Sequence, residues 1–197
     1  MKQWIYGIVI FGFSQTAAMA IQGTQIYENY LNSVKTLSGQ FTQVNNRGKS
    51  VTGTIQISRP GKLRLTYNPP SSLVIVSDGK WLINYDRDSD EKTYLTMDKT
   101  PAAFILRPNI RFSGDVAVTS VVPKGDQTAI TLIKKEDPDE GYITLVFDND
   151  PLALSEWSVV DAQGAETRVI LSNMQSNVQL QAGLFNIESP NLIQQIF

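Results

Sequence analysis

Apolar and polar residues alternate with a period of two along most of this chain, and this pattern restricts the fold more than any other feature of the sequence. In the segment VTGTIQISR, one face carries Val51, Gly53, Ile55, Ile57 and Arg59. In the next segment, KLRLTYN, one face carries Leu63, Leu65 and Tyr67. Because successive side chains of a strand point to opposite faces of a sheet, we predict two antiparallel strands joined by a turn at Arg59-Pro60-Gly61.

Similar segments occur before and after this pair. Phe41 lies in an earlier segment, GQFTQV, and the Asp78-Gly79 pair between SLVIVSD and WLINYD is a strong hairpin signal. After Pro108 the pattern resumes in VAVTSVV, TAITLIKK, GYITLVFD, LSEWSVVD and ETRVILSN, and we expect a last short strand at 184–187. The sequence therefore predicts a mainly β fold of about ten or eleven antiparallel strands.

Two segments have helical spacing instead. From Thr24 to Leu37, apolar residues recur at intervals of three and four, and Thr24 is placed to cap the first turn. The segment TPAAFILR, residues 100–107, has Pro101 at the expected first helical position after Thr100 and predicts a short apolar helix. A sheet of this many strands curls toward a barrel, so we expect the helices to cover the concave face of an unclosed half-barrel. From the residues alone, the space beneath them is either a filled core, which is favoured, or a cavity.

The beginning of the chain has the organisation of a secretory signal peptide. A positive charge precedes an apolar run at residues 4–13, and Ala18 and Ala20 frame a small-residue cleavage site. The run is shorter than the ~20 residues that span a bilayer. We therefore expect residues 1–20 to be removed and residues 21–197 to form a single exported domain. No cysteine follows the cleavage site, so we expect no acyl anchor there.

Composition argues against several classes of function. The sequence contains no cysteine and no histidine, and its formal net charge is −2. Without long basic runs, nucleic acid is not expected as a partner. The absence of cysteine and histidine removes the usual catalytic triads, cysteine nucleophiles and most zinc sites. We therefore predict a protein that is not an enzyme and that uses no cofactor and no metal.

Two short motifs point only weakly to chemistry. Residues 77–80 match the S-x-x-K spacing of serine acyl enzymes, but they lie at a strand-to-turn junction and do not open a helix. Asp86, Asp88 and Asp90 have the spacing of the first ligands of a calcium loop. Glu91 occupies the position of the required glycine, so an exposed acidic turn is the favoured interpretation.

The runs GQFTQ, GTIQISRPGKLRLTYNPP, IVSDGKWLINYD and TPAAFIL resemble the periplasmic outer-membrane lipoprotein carrier protein family, LolA. The similarity is most specific from Phe41 to Tyr85, where RPGK and VSDGK follow one another. The resemblance implies an unclosed antiparallel β-barrel with a helical lid over an apolar cavity. It also implies a periplasmic chaperone that binds the acyl chains of outer-membrane lipoproteins. Such a carrier receives them from an inner-membrane ABC-type lipoprotein-releasing transporter and passes them to an outer-membrane lipoprotein receptor, and we expect it to be a monomer.

The resemblance further implies roles for individual residues. Arg59 matches an arginine that hydrogen-bonds to lid groups and holds the empty cavity shut; the alternative is an ordinary turn arginine in solvent. The expected cavity lining consists of Phe41, Ile55, Ile57, Leu63, Leu65, Tyr67 and Ile75. The expected lid residues are Tyr30, Leu31, Val34, Phe104, Ile105 and Leu106.

The sequence departs from the family pattern at a few positions. Leu65 and Ile83 stand where an aromatic residue is common, and Trp81 directly follows Lys80, so the cavity lining and the cargo preference are expected to differ. Two other functions of the same fold stay open, a periplasmic lipid-binding sensor and a carrier of free lipids. The C-terminal run NLIQQIF is interpreted as a frayed tail.

Overall fold

The computed structural model describes residues 23–97 and 102–187. The expected signal peptide and the C-terminal run NLIQQIF lie outside these ranges, as do Thr100 and Pro101 at the expected start of the second helix. The assignment of residues 21–197 to one exported domain therefore stays a prediction.

Eleven β-strands make up most of the described chain. They are β1 (Thr36–Asn45), β2 (Ser50–Ser58), β3 (Lys62–Tyr67), β4 (Leu73–Asp78), β5 (Trp81–Asp86), β6 (Glu91–Thr96), β7 (Val116–Lys124), β8 (Gln127–Lys134), β9 (Gly141–Asn149), β10 (Leu152–Asp161) and β11 (Glu166–Ser176). The helical elements are α1 (Gln25–Ser33), α2 (Ala102–Ile105) and two 3-10 helices at Pro138–Glu140 and Ala182–Phe185.

All eleven strands belong to one antiparallel sheet with the order β6-β5-β4-β3-β2-β1-β11-β10-β9-β8-β7. Neighbours in the sheet are also neighbours along the chain, except that β1 pairs with β11 at the centre. Within the described ranges, β6 and β7 form the two edges and do not pair with each other, so the barrel stays open. The predicted fold class, a mainly β half-barrel, is confirmed.

The register places the alternating apolar residues on one inner face. Ile55 pairs with Leu65, and Ile57 pairs with Leu63. Leu65 in turn pairs with Ile75 on the next strand. Because paired residues of adjacent strands point to the same side, these five side chains form one continuous apolar surface.

A glycine on this face makes room for an aromatic ring. Phe41 pairs with Gly53, and a Cβ atom at Gly53 would lie 2.6 Å from Cε1 of Phe41. The Phe41 ring therefore covers the glycine backbone and packs edge-on against Tyr67, with 5.1 Å between the ring centroids. Glycine at position 53 is required by close packing within the sheet.

The predicted turns at Arg59-Pro60-Gly61 and Asp78-Gly79 are confirmed, and they lie against each other. Gly61 has φ of 77°, and a Cβ atom there would lie 2.7 Å from Cα of Gly79. The Ser77 hydroxyl donates to the carbonyl oxygen of Gly61 at 2.7 Å and accepts from the Gly79 N–H at 3.2 Å. The RPGK and VSDGK segments thus form a single packed corner of the sheet.

The first helix is shorter than the predicted Thr24–Leu37. It ends at Ser33, Val34 is extended, and Leu37 lies in β1. The Lys35 carbonyl accepts a hydrogen bond from the Arg59 N–H at 2.9 Å, so pairing with β2 ends the helical spacing early. The prediction of a side-chain cap was also wrong, because Thr24 makes no capping hydrogen bond through its side chain.

Two predictions about strands were wrong. The predicted strand at 184–187 is replaced by the 3-10 helix Ala182–Phe185, and β6 was missed. Strand β6 is exposed along most of its length, so it lacks the alternation of buried residues that reveals a strand. The 3-10 helix instead packs on the outer face of the sheet in an apolar group, the outer cluster, formed by Val74, Val76, Leu184 and Phe185.

Candidate functional site

A large apolar cluster lies between the inner face of the sheet and the two α-helices, and we call it the inner cluster. Six of the seven residues predicted to line a cavity are buried members of it: Phe41, Ile55, Ile57, Leu63, Leu65 and Tyr67. The seventh, Ile75, is partly buried and packs against it. The structure therefore brings all the predicted lining residues together on one surface.

The helices α1 and α2 cover this surface as a lid. The Tyr27 ring lies 4.8 Å from the ring of Phe147 on β9, and Tyr30 lies 6.2 Å from the same ring. Beside α2, the rings of Phe104 and Phe112 stack at 6.3 Å. Five of the six predicted lid residues are buried in the inner cluster, Leu31, Val34, Phe104, Ile105 and Leu106, and Tyr30 packs against it partly buried.

Many side chains between the sheet and this lid are fully buried. Ile55, Ile110, Ile130, Leu145 and Phe147 each have a relative exposure of 0%. Both the filled core favoured from the residues alone and the cavity implied by the family resemblance stay predictions. An acyl chain could enter between these side chains only if α1 or α2 moved away from the sheet.

Arg59 contacts the lid through its side chain. The guanidinium Nη2 donates to the carbonyl oxygens of Leu31 and Val34, where α1 ends. Carbonyl groups of the last helical turn have no partner within the helix, so they are natural acceptors for a cation. The resemblance implies contacts with both helices, but the described guanidinium hydrogen bonds are made with the end of α1.

The environment of Arg59 is only partly polar. Burial lowers the pKa of Arg59 from its ordinary value, and the nearby Tyr30 acts in the opposite direction. An arginine stays charged at physiological pH despite such a shift. Its second terminal nitrogen, Nη1, is buried and has no hydrogen-bond partner among the described residues. The positive charge therefore lies at the edge of the apolar cluster with part of its hydrogen-bonding capacity unused.

The second lid helix is held by backbone groups. The Gly61 N–H donates to the carbonyl oxygen of Leu106 at 2.9 Å, directly after α2. The turn between β2 and β3 thus contacts both lid helices, through the Arg59 side chain and the Gly61 backbone. Sequence reasoning singled out the arginine, but it did not assign the glycine to the lid.

Side chains of α1 also bind the loop that follows α2. The Asn32 side chain donates to the carbonyl oxygen of Ile110 at 2.9 Å and accepts from the Ile110 N–H at 2.8 Å. Glu28 Oε1 accepts from the N–H of Phe112 at 2.9 Å. These three hydrogen bonds join the two parts of the lid to each other.

Sequence reasoning missed the half of the inner cluster that lies beyond β1. These residues come from β8 to β11, and they are Ile130, Leu132, Leu145, Phe147, Trp157, Val169 and Leu171. The signal was present, because the segments TAITLIKK and GYITLVFD alternate in the same way as VTGTIQISR. The sequence did not reveal that β1 pairs with β11. This pairing places both halves on the same concave face.

A few polar groups lie on the inner face. The Tyr67 hydroxyl donates to Gln43 Oε1 at 2.6 Å, and burial raises the pKa of Tyr67 to about 12. Asn84 Oδ1 is buried and has no hydrogen-bond partner among the described residues. Gln43 and Asn84 were not predicted as part of the site, since a single polar residue in a strand gives no signal in the alternation.

A surface groove, the mouth groove, opens where the two sheet edges and α2 approach each other. Its volume is about 600 Å³, and it is lined by Gly79, Lys80, Met97, Ala103, Arg107, Asp115, Lys134, Glu136 and Asp137. Arg107 forms a bidentate ion pair with Asp115, in which Nη1 lies 3.0 Å from Oδ1 and Nη2 lies 2.6 Å from Oδ2. Hydrogen bonding from Arg107 lowers the pKa of Asp115. A groove with this many charged groups suits a polar ligand better than an acyl chain.

The S-x-x-K motif and the acidic motif, which pointed only weakly to chemistry, form hydrogen bonds with neighbouring turns. Ser77 has a relative exposure of 0%, and its hydroxyl hydrogen bonds the neighbouring turn. Asp86 Oδ1 accepts from the Ser72 hydroxyl at 2.7 Å and from the Asp88 N–H at 2.9 Å. Both groups therefore stabilise turns of the sheet.

The fold and the site define a lidded half-barrel whose apolar concave face is covered by two short helices. Residues 32–188 match the family described as "Outer membrane lipoprotein carrier protein LolA". This chain belongs to that family, which is a family of carriers and not of enzymes.

Relatives with known names agree with this assignment. The chain is 31% identical over 169 residues to the outer-membrane lipoprotein carrier protein of Chromobacterium violaceum, covering 82% of this chain and 81% of the relative. It is 29% identical over 202 residues to the protein of the same name from Legionella pneumophila strain Paris, covering 96% and 95%. The crystal structure of an uncharacterized conserved protein from Thermus thermophilus has the same fold, with a TM-score of 0.52, 10% identity and coverage of 89% and 96%.

Among the described residues, no helix combines the length and the apolar character that a bilayer span requires.

Proposed function

We propose that this protein carries outer-membrane lipoproteins by binding their acyl chains between the inner face of the half-barrel and the lid. The observation that carries this proposal is the inner cluster, a continuous apolar face covered by two short helices and not by a second sheet. The names of the relatives from Chromobacterium violaceum and Legionella pneumophila support the choice of cargo.

The energetics favour a covered site for such a cargo. Each buried methylene group contributes about 0.8 kcal/mol, so acyl chains are strongly disfavoured in water. The lid helices have nine and four residues, and moving them would break no hydrogen bond between strands of the sheet. Closure of the lid over the protein's own side chains competes with the cargo and weakens its binding by the fraction of protein that is closed. An affinity lowered in this way permits release without a nucleotide.

Arg59 is the proposed latch of the closed state. Its hydrogen bonds to the Leu31 and Val34 carbonyls must break before the end of α1 can leave the sheet. The buried Nη1 without a described partner limits how strongly the closed state is stabilised, because an unsatisfied buried donor is costly. A latch of intermediate strength is what a carrier needs if it must both bind and release.

The proposed cycle places the protein in the periplasm. There it would work as a monomer, receiving lipoproteins from an inner-membrane ABC-type transporter and passing them to an outer-membrane receptor. The predicted signal peptide and the carrier names of the relatives support this assignment.

The proposal is tested by replacing the latch. We expect Arg59→Leu to take up a lipoprotein at least as well as the wild type but to transfer it poorly, because cargo no longer competes with closure. Transfer of a purified lipoprotein from this protein to its receptor is measured, with Arg47→Leu in the exposed turn after β1 as the control. Transfer by Arg59→Leu at the wild-type rate would show that the latch assignment is wrong.

The nature of the cargo is tested separately. Mass spectrometry of material that co-purifies with the protein from the periplasm should detect acylated proteins. Free lipids alone would favour a free-lipid carrier, and a stable membrane regulator as partner would favour a lipid sensor.

A further inference from the structure

The two edges of the half-barrel differ in how they are protected. Strand β7 carries a register shift between Val118 and Ser120 and a proline at position 123. Bulges and prolines are devices that prevent other chains from pairing with an edge. Strand β6 has neither, since it pairs with β5 without interruption from Asp86–Glu91 to Trp81–Thr96. The β6 edge is therefore the one that pairs regularly and has no bulge or proline.

The backbone of β6 offers regularly spaced hydrogen-bonding groups. The Met97 N–H donates to the carbonyl oxygen of Lys80 at 3.2 Å, which makes Lys80 and Met97 a hydrogen-bonded pair. Such pairs alternate along an antiparallel ladder. The register then directs the backbone groups of Lys92, Tyr94 and Thr96 away from β5. These residues present N–H and C=O groups to a strand added at this edge.

The side chains of β6 also suit a protein ligand. Tyr94 has a relative exposure of 54%, and Leu95 has one of 43%. As neighbours in a strand, they lie on opposite faces of the sheet, so an added strand would contact an apolar side chain on each face. Lys92 lies over the Tyr85 ring at 5.4 Å, beside the same edge.

The β6 edge is continuous with the mouth groove. Met97, which follows β6 directly, lines the groove together with Lys80 and the Ala103 residue of α2. The next residue along α2, Phe104, belongs to the inner cluster. A chain that leaves the inner cluster beside α2 and follows the groove therefore arrives at the β6 edge.

We propose that the β6 edge binds, by strand addition, the polypeptide segment that follows the acylated residue of the cargo. This inference rests on the proposed function, and it assigns the acyl chains to the inner cluster and the first part of the cargo polypeptide to the mouth groove and β6. Main-chain pairing gives affinity with little dependence on sequence, which suits a carrier of many different proteins. A free lipid has no polypeptide and would therefore gain no affinity from main-chain pairing.

The test compares lipopeptides with the same acyl chains. One triacylated lipopeptide carries two residues, a second carries ten, and a third carries the same ten residues with an N-methyl group on every backbone nitrogen. We expect the mature protein to bind the ten-residue lipopeptide about tenfold more tightly than the short one. N-methylation should abolish this gain, because it removes the donors of the added strand.

A pair of variants at one position tests the protein side. Tyr94→Pro removes an N–H that faces away from β5, a position at which edge strands tolerate proline. We expect this variant to bind the short lipopeptide normally and to lose the gain for the long one. The matched control, Tyr94→Thr, keeps the backbone donor and should retain most of the gain.

The outcomes separate the two proposals. If none of the three lipopeptides binds, the proposed function fails, and this inference fails with it. If the short lipopeptide binds but length gives no gain, or if the gain persists in Tyr94→Pro, the inference alone is overturned. It is also overturned if gel filtration shows that the ligand-free protein dimerises and that Tyr94→Pro abolishes the dimer, since the edge would then pair with a second copy of this chain.

Discussion

Burial strongly affects the ionisation of Tyr67. Its relative exposure is 4%, and its hydroxyl donates to Gln43 at 2.6 Å. A neutral phenol can be buried with one hydrogen bond, whereas a phenolate would lose its hydration in the apolar cluster. Burial therefore raises the pKa of Tyr67 from 10.0 to about 12.

This shift predicts a loss of stability at high pH. Because the pKa of Tyr67 is higher in the folded than in the unfolded protein, the associated stability is complete below about pH 10 and is lost as pH rises toward 12. A difference of about two pKa units corresponds to about 3 kcal/mol in the free energy of unfolding. We expect urea unfolding to show a smaller decline between these pH values for Tyr67→Phe than for the wild type. An equal decline in both proteins would contradict the assignment to Tyr67.

At the scale of elements, α1 and the loop after α2 are joined so that the lid has two connected parts. Asn32 makes two hydrogen bonds to the backbone of Ile110, and Glu28 makes one to Phe112. The turn between β2 and β3 holds both parts through Arg59 and Gly61. Displacement of one lid element should therefore loosen the other.

Loss of the Asn32 side chain should weaken the connection between α1 and the loop after α2. Asn32→Ala leaves the Ile110 N–H and C=O without their partners, and such losses cost about 1 to 3 kcal/mol when the groups are buried. We expect faster amide hydrogen exchange in the segment 106–112, measured by mass spectrometry. Asn29→Ala, at an exposed position of the same helix, is the control and should exchange like the wild type. Unchanged protection in Asn32→Ala would mean that the loop is held by its apolar contacts alone.

At the scale of the whole molecule, the pairing of β1 with β11 turns two runs of strands into one sheet. The register extends from Leu37–Ser176 to Asn45–Thr167, with one irregularity between Ser38 and Gln40. The inner cluster crosses this junction, since Phe41 of β1 pairs with Leu171 of β11 and both belong to it. Neither half can bury its inner face without the other.

The two halves should therefore unfold together. Trp81 reports on the half that contains β5, and Trp157 reports on the half that contains β10. The third tryptophan, Trp4, lies in the expected signal peptide. In the mature variants Trp81→Phe and Trp157→Phe, we expect the fluorescence midpoint in urea to coincide with the far-UV circular dichroism midpoint. Separate midpoints in either variant would indicate that the halves are independent folding units.

The sequence by itself determined ten of the eleven described strands, two turns, both helices and the residues of one half of the inner face. The alternation of Ile55 with Ile57 and of Leu63 with Leu65 is local, so it can be recognised without knowing the fold. The predicted roles of Arg59 and of the lining residues stay predictions, although the structure places these residues together.

Only the tertiary structure decided where α1 ends, that β6 is a strand and which strands meet at the centre. Pairing with β2 stops the helix before Leu37, and exposure hides β6 from any pattern of burial. The β1–β11 pairing joins residues more than a hundred positions apart, and its favourable contacts form only when the whole sheet is assembled. Local spacing carries no record of such contacts, because it depends on neighbours in the chain and not on neighbours in space.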